Sequence, residues 1–130
     1  MSAATLGVAP SAVAPGVAEI EREFRQCAGS FATGVAVVTA CDGEAVAGMT
    51  LNSFTSVSLR PLLVCVALAR ESRTLRILRR SGQFGISVLH AGQREAALTF
   101  ARPGLPFCED LTERFVDGYV FVVGALATMR

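Results

Sequence analysis

The sequence predicts a mainly β chain, an antiparallel barrel with a few short helices appended to it. Three observations carry that expectation. Short apolar runs rich in valine recur along the chain, and Asp42-Gly43 stands between two of them as a hairpin signal. Helical spacing is confined to brief stretches, the pattern of strands joined by short turns and interrupted by small helices. No dinucleotide-type or P-loop glycine motif occurs, which argues against a Rossmann or P-loop nucleotide site.

Residues 1–18 are rich in Ala, Val and Pro with no basic n-region, so they read as a disordered leader and not as a signal peptide, and the folded domain is expected over residues 19–130. Residues 19–28 place Ile20, Phe24 and Cys27 at i, i+4 and i+7, a short helix stopped by Gly29. Residues 34–40 and 44–50 form the two arms of the hairpin. Residues 62–69 are continuously apolar and predict a buried strand, with Cys65 as a small hydrophobe inside it. Residues 74–80 predict a helix capped by Ser72, with Leu75 and Leu78 three apart and arginines between. Arg76, Arg79 and Arg80 are expected on its solvated face.

Residues 83–89 alternate as a strand, with Phe84, Ile86 and Val88 on one face and Ser87 on the other. Residues 93–100 predict a further helix. Residues 101–118 contain Pro103, Gly104, Pro106 and Gly118 and read as a loop suited to a lid or a dimer contact. Residues 119–123 and 125–129 read as closing strands.

Composition narrows the function classes. Net charge is +1 and the twelve basic residues, all arginine, are spread along the chain apart from the cluster at 70–80. A nucleic-acid face needs a concentrated basic excess and, for single strands, stacking aromatics; aromatics are 7% here and Trp is absent. No apolar run approaches the roughly 18–20 residues that span a bilayer. A cytoplasmic location without a membrane partner is therefore expected. Cysteines 27, 41, 65 and 108 show no metal-ligand spacing, so zinc is not expected. His90, the one imidazole, is read as a surface or capping residue, and Glu109, Asp110, Glu113 and Asp117 as a solvated acidic surface.

The most informative stretch is Thr50-Leu51-Asn52-Ser53-Phe54-Thr55-Ser56-Val57-Ser58, with five hydroxyls and one amide in nine uncharged residues. Each such group withdrawn from water costs about 1–3 kcal/mol unless it finds a partner. Two readings answer this: a strand running into a Ser-rich turn that bonds its own backbone, or a site for a neutral polar ring or a phosphate. Ser72-Arg73-Thr74 at a helix start favours the site, because a helix N-terminus with an arginine beside it attracts an anion.

The order Phe31-Ala32-Thr33-Gly34-Val35, Met49-Thr50-Leu51-Asn52-Ser53-Phe54-Thr55-Ser56-Val57-Ser58-Leu59, Pro61, Ser72-Arg73-Thr74, Phe84-Gly85-Ile86-Ser87, Gln93 and Phe100-Ala101 resembles the short flavin reductase family. These are the small components of two-component flavin monooxygenases. The resemblance runs from about residue 23 to residue 130. It implies a split antiparallel β-barrel of the FMN-binding type, usually a homodimer, that oxidises NADH or NADPH and passes reduced FMN or FAD to a separate oxygenase. It further implies that Thr50, Asn52 and Ser53 line the isoalloxazine ring and that Ser56 and Ser58 face the ribityl chain and phosphate. Ser72, Arg73 and Thr74 would finish the phosphate site, Phe84 would pack near the flavin, and Gly34 and Val35 would stand where the ring approaches a strand.

Ser87 stands where the family commonly has Asn, and Arg60 and Leu62 flank Pro61 where an acidic residue and a second proline are usual. The family's later Gly-Asp-His motif, associated by the resemblance with nicotinamide binding, has no counterpart up to Arg130. The expectation that follows is a barrel lacking its last strands, with an exposed edge that favours dimerisation. The alternative functional reading is accordingly a truncated flavin-binding or dimerising split barrel without turnover. A third is a relative of the pyridoxamine-phosphate oxidase-like split barrels with another ligand. Hydride transfer between nicotinamide and flavin needs stacked rings and no protein nucleophile or acid–base pair, so no catalytic side chain and no metal are assigned.

Overall fold

A computed structural model describes residues 16–102, 104 and 106–130. The chain divides into two compact units, Met1–Ala32 and Thr33–Arg130. In the first, the described element is helix α1, Val17–Gly29, with Glu19 in its first turn, where a carboxylate suits the helix dipole. It starts two residues before the expected helix, so Val17 and Ala18 of the expected leader are helical and Gly16 stands at the N-cap; residues 1–15 of that leader lie outside the described residues. Ile20 and Phe24 form the expected apolar stripe, and both are exposed.

The second unit is mainly β. Its strands are β1 (Ala36–Asp42), β2 (Ala45–Leu51), β3 (Thr55–Leu59), β4 (Leu62–Cys65), β5 (Gly85–Val88), β6 (Thr112–Arg114), β7 (Val120–Val122) and β8 (Ala127–Met129). Helix α2 (Arg73–Ser81) lies between β4 and β5, and α3 (Arg94–Phe100) follows β5. Among the described residues the strands form three antiparallel sheets: β2-β1-β5-β8, the ribbon β3-β4, and the ribbon β6-β7. Among the described residues they do not close into one barrel.

The β1–β2 hairpin forms where Asp42-Gly43 predicts it, with Asp42 opposite Ala45 and Gly43-Glu44 as the two-residue turn. Gly43 has φ +61° and, among the described residues, no non-glycine residue has positive φ, the arrangement of a turn that needs glycine at its first central position. A second Asp-Gly pair, Asp117-Gly118, turns β6 into β7, with Gly118 at φ +86°. The expectation of a plain loop over 101–118 is corrected there: β6 has no apolar alternation of its own, and only the pairing with β7 makes it a strand.

The four-stranded sheet carries apolar groups on both faces. Ala36, Val38, Leu51 and Ile86 build one core, joined by Phe54, Phe84 and Met129. On the same face Ile77 of α2 packs on Ala40 and Ala47. The opposite face sets Val37 against Ala96 and Phe100 of α3 and Val122 of β7. Burial of α2 differs from the sequence pattern: Thr74 and Ile77 are buried, while Leu75 and Leu78 are half-buried. Side chains three and four apart share a helix face, and the face centred on Ile77 is the one that meets the small residues Ala40 and Ala47.

The apolar run after Pro61 is the clearest correction. Its strand stops at Cys65 and is exposed throughout, with Leu62 81% and Leu63 49% accessible. Cys65 is likewise exposed and not a buried hydrophobe. Continuous hydrophobicity says that a strand has apolar faces, not which layer covers them. Here β3 and β4 pair only with each other, and the chain resumes core packing only at Val66 and Leu68.

Candidate functional site

A cleft of about 610 Å³ runs along the free edge of β2. Residues 46–50 form its floor, the start of α2 one wall, and residues 99–102 with Gly104, Pro106 and Phe107 the other. Glycine at 48 is required by the packing: a Cβ there would stand 2.9 Å from the Phe100 ring. The edge strand can therefore lie directly beneath the end of α3. Thr50 ties the two together, its hydroxyl donating to the Ala97 carbonyl at 2.7 Å.

The α2 wall is anion-binding in character. Ser72 caps the helix by accepting the Leu75 N–H at 3.2 Å, and the Arg76 N–H reaches the Ser72 carbonyl. Four N–H groups at a helix start lack intrahelical acceptors, so those of Arg73 and Thr74 remain open at the positive end of the dipole. Arg73, Arg76 and Arg102 line the cleft with one carboxylate, Glu71. The ion pairs among the described residues lie elsewhere, Arg80 with Asp42 at 3.0 Å and Arg130 with Asp117 among them, and none engages those three arginines. Arg76, Arg79 and Arg80 are all exposed, as expected of a solvated face; Arg80 pairs with Asp42 at that surface, and Arg76 also lines the cleft.

Of the residues singled out from sequence, the cleft brings together Thr50, Ser72, Arg73 and Thr74. Gly34, Val35 and Asn52 lie just beyond the Ala36–Leu51 pair, at one end of β1 and β2. A Cβ on Gly34 would meet nothing within 4 Å, so the protein itself makes no close approach there. Ser53 and Ser58 both bond backbone: the Ser53 hydroxyl accepts the N–H of Ala67, 14 residues away, at 3.0 Å, and that of Ser58 accepts the N–H of Arg60, 2 residues away, at 3.1 Å beside the cis Arg60–Pro61 bond. Ser56 and Asn52 are exposed, and Phe84 packs on the Ile86 core. The polar block thus divides: Ser58 satisfies nearby backbone as a Ser-rich turn does, Ser53 bonds the backbone of a distant segment, and Asn52 and Ser56 face solvent.

Sequence reasoning missed Arg102 and Glu71, and it did not place Phe100 and Ala101 with Gly104, Pro106 and Phe107 in a wall of the cleft. The available signal was a lone arginine next to Pro103-Gly104 at the end of a predicted helix. Gln93, part of the resemblance, proves to be a clamp: its side-chain amide donates to the Val123 carbonyl at 2.8 Å and its oxygen accepts the His90 N–H at 3.2 Å. His90 is exposed and accepts the Gly92 N–H on Nδ1, as a capping residue does.

The likeness to characterised proteins is extensive. FMN reductase (NADH) SmoA of Agrobacterium fabrum is 42% identical over 110 residues, covering 84% of this chain and 63% of that protein. The flavin reductase component of a bacterial two-component tryptophan halogenase superposes with a TM-score of 0.74 at 38% identity, over 83% of this chain and 71% of the other. The NADH:FAD oxidoreductase of Streptomyces globisporus, solved with NAD and FAD fragments, gives 0.72 at 35% identity, over 84% and 67%. The chain spans less than two thirds of the length of the curated relatives it matches. Residues 28–130 match the flavin reductase like domain, and the chain belongs to that family.

Proposed function

We propose that this chain binds FMN or FAD, catalyses its reduction by NADH or NADPH, and supplies the reduced flavin to a separate oxygenase component. The observation that carries the reading is the cleft along β2, where Thr50 and the Ser72-Arg73-Thr74 helix start converge within a flavin reductase domain. The residues fit a phosphate-bearing flavin: the open N–H groups, the three arginines and the apolar floor supply an anion site beside a surface for a ring. When bound, flavin supplies the hydride-accepting ring. The protein's part is to hold that ring and keep its face open to nicotinamide.

Ser72, Arg73 and Thr74 take the phosphate next to the ribityl chain, and Thr50 with Asn52 and Ser53 follows the ring along the end of β2. Gly34 and Val35 leave room at that end, Ser56 and Ser58 lie toward the ribityl chain, and Phe84 backs the site through the core it packs on. The architecture in this reading is the family's split barrel. NADH oxidation by the purified chain, followed with and without added FMN and FAD, tests the function. Oxidation that rises with flavin is the expected result, and an unchanged rate with both flavins would sink it.

The alternative of a flavin-binding or dimerising protein without turnover draws support from the β3–β4 ribbon. Val57, Leu59, Leu62 and Leu63 expose an apolar surface on a two-stranded ribbon whose edges are both open among the described residues, which suits a second copy of the chain. A homodimer is expected in sedimentation, with Leu62→Asp shifting it to monomer. A wild-type monomer at all concentrations would remove the dimer.

A further inference from the structure

Arg73 and Arg76 stand three apart in the first turn of α2, so both face the cleft from one wall, and Arg102 lines it from the other. Such convergence is not what a solvated helix face produces: Arg79, on the same helix, is outside the cleft, and Arg80 is paired with Asp42. A single phosphate monoester is already served by Ser72, Arg73 and the open helix N–H groups. Two further guanidinium groups, with no carboxylate partner among the described residues, are in excess of that need. The β2 floor is also longer than one phosphate, five residues or about 13 Å of extended chain. A ligand with two phosphate centres in series matches both the number of cations and the length of the cleft.

We infer that the cleft is built for the diphosphate of a dinucleotide flavin: Ser72 and Arg73 hold the phosphate next to the ribityl chain, Arg76 and Arg102 hold the second, and the chain prefers FAD to FMN. This rests on the flavin-binding reading above. Guanidinium groups suit the role because each presents paired N–H donors to phosphate oxygens. The discrimination comes from interactions that FMN cannot make, since its chain of charge ends at the first phosphate.

The test is titration of the full chain with riboflavin, FMN and FAD at fixed ionic strength, with NADH KM read alongside. Wild type is expected to bind FAD about tenfold or more tighter than FMN. Arg76→Gln and Arg102→Gln should each weaken FAD by about tenfold and leave FMN within about twofold, whereas Arg73→Gln should weaken both. All three side chains are exposed, and unchanged thermal unfolding verifies that the variants fold. Equal losses for FMN and FAD in the Arg76 and Arg102 variants would overturn the assignment, as would no loss, or a change confined to the NADH KM, which would give the diphosphate contacts to the nicotinamide nucleotide. In each of those cases wild-type flavin binding would still uphold the parent reading. Wild type that binds no flavin at all would overturn both.

Discussion

Gly85→Ala is expected to destabilise the Thr33–Arg130 unit by about 3 kcal/mol, read as a fall in the urea midpoint without a change in slope. A Cβ at this position would lie 2.8 Å from the Val120 carbonyl oxygen, 2.8 Å from the Phe121 ring and 3.0 Å from the Thr39 hydroxyl. The carbonyl belongs to backbone already paired in the β6–β7 ribbon, so relief requires moving that ribbon away from the four-stranded sheet. Such a shift also disturbs the Thr39 hydroxyl, which donates to the Val120 carbonyl from a fully buried position. Gly34→Ala is the control, since its Cβ meets nothing and its φ is not positive; it should be nearly neutral. Equal midpoints for wild type and Gly85→Ala would mean that β7 does not press on β5 as described.

Ser87→Ala carries the second large effect, about 1–3 kcal/mol of stability. Ser87 is fully buried on β5, and its hydroxyl accepts the Val122 N–H at 2.9 Å. Alanine keeps the backbone and leaves that buried donor without its acceptor, which costs more than the net worth of an average hydrogen bond. The consequence reaches the cleft, because Val122 belongs to the same cluster as Phe100 and Phe107, which form its second wall. A weaker affinity for flavin in the titration should accompany the loss of stability. An unchanged urea midpoint would show that Val122 finds another acceptor.

Ser87 also shows how far the residues speak for themselves. Its place on the strand face opposite Ile86 was legible from alternation, and its difference from the family's usual Asn from the motif. Its bond to β7 was legible from neither, because it joins positions 35 residues apart. The α2 start is the opposite case. Ser72 as cap and Arg73 as the first helical cation follow from local chemistry alone, and the structure places both on the cleft. For β4 the same local reasoning failed, since an apolar run describes the side chains and leaves their cover unspecified.

The local devices of this protein were readable from its residues alone: the Gly43 turn, the Ser72 cap, the alternation of β5, and the polar block that carries its family resemblance. These depend on interactions within a few residues, so spacing suffices to read them. It took the folded arrangement to bring Arg76 and Arg102 across one cleft, to hold Thr50 by α3, to turn Ser53 to the Ala67 backbone, and to leave β3–β4 uncovered. Each of those outcomes depends on which elements pack against which, and long-range packing is set by the summed fit of all the faces rather than by any one segment.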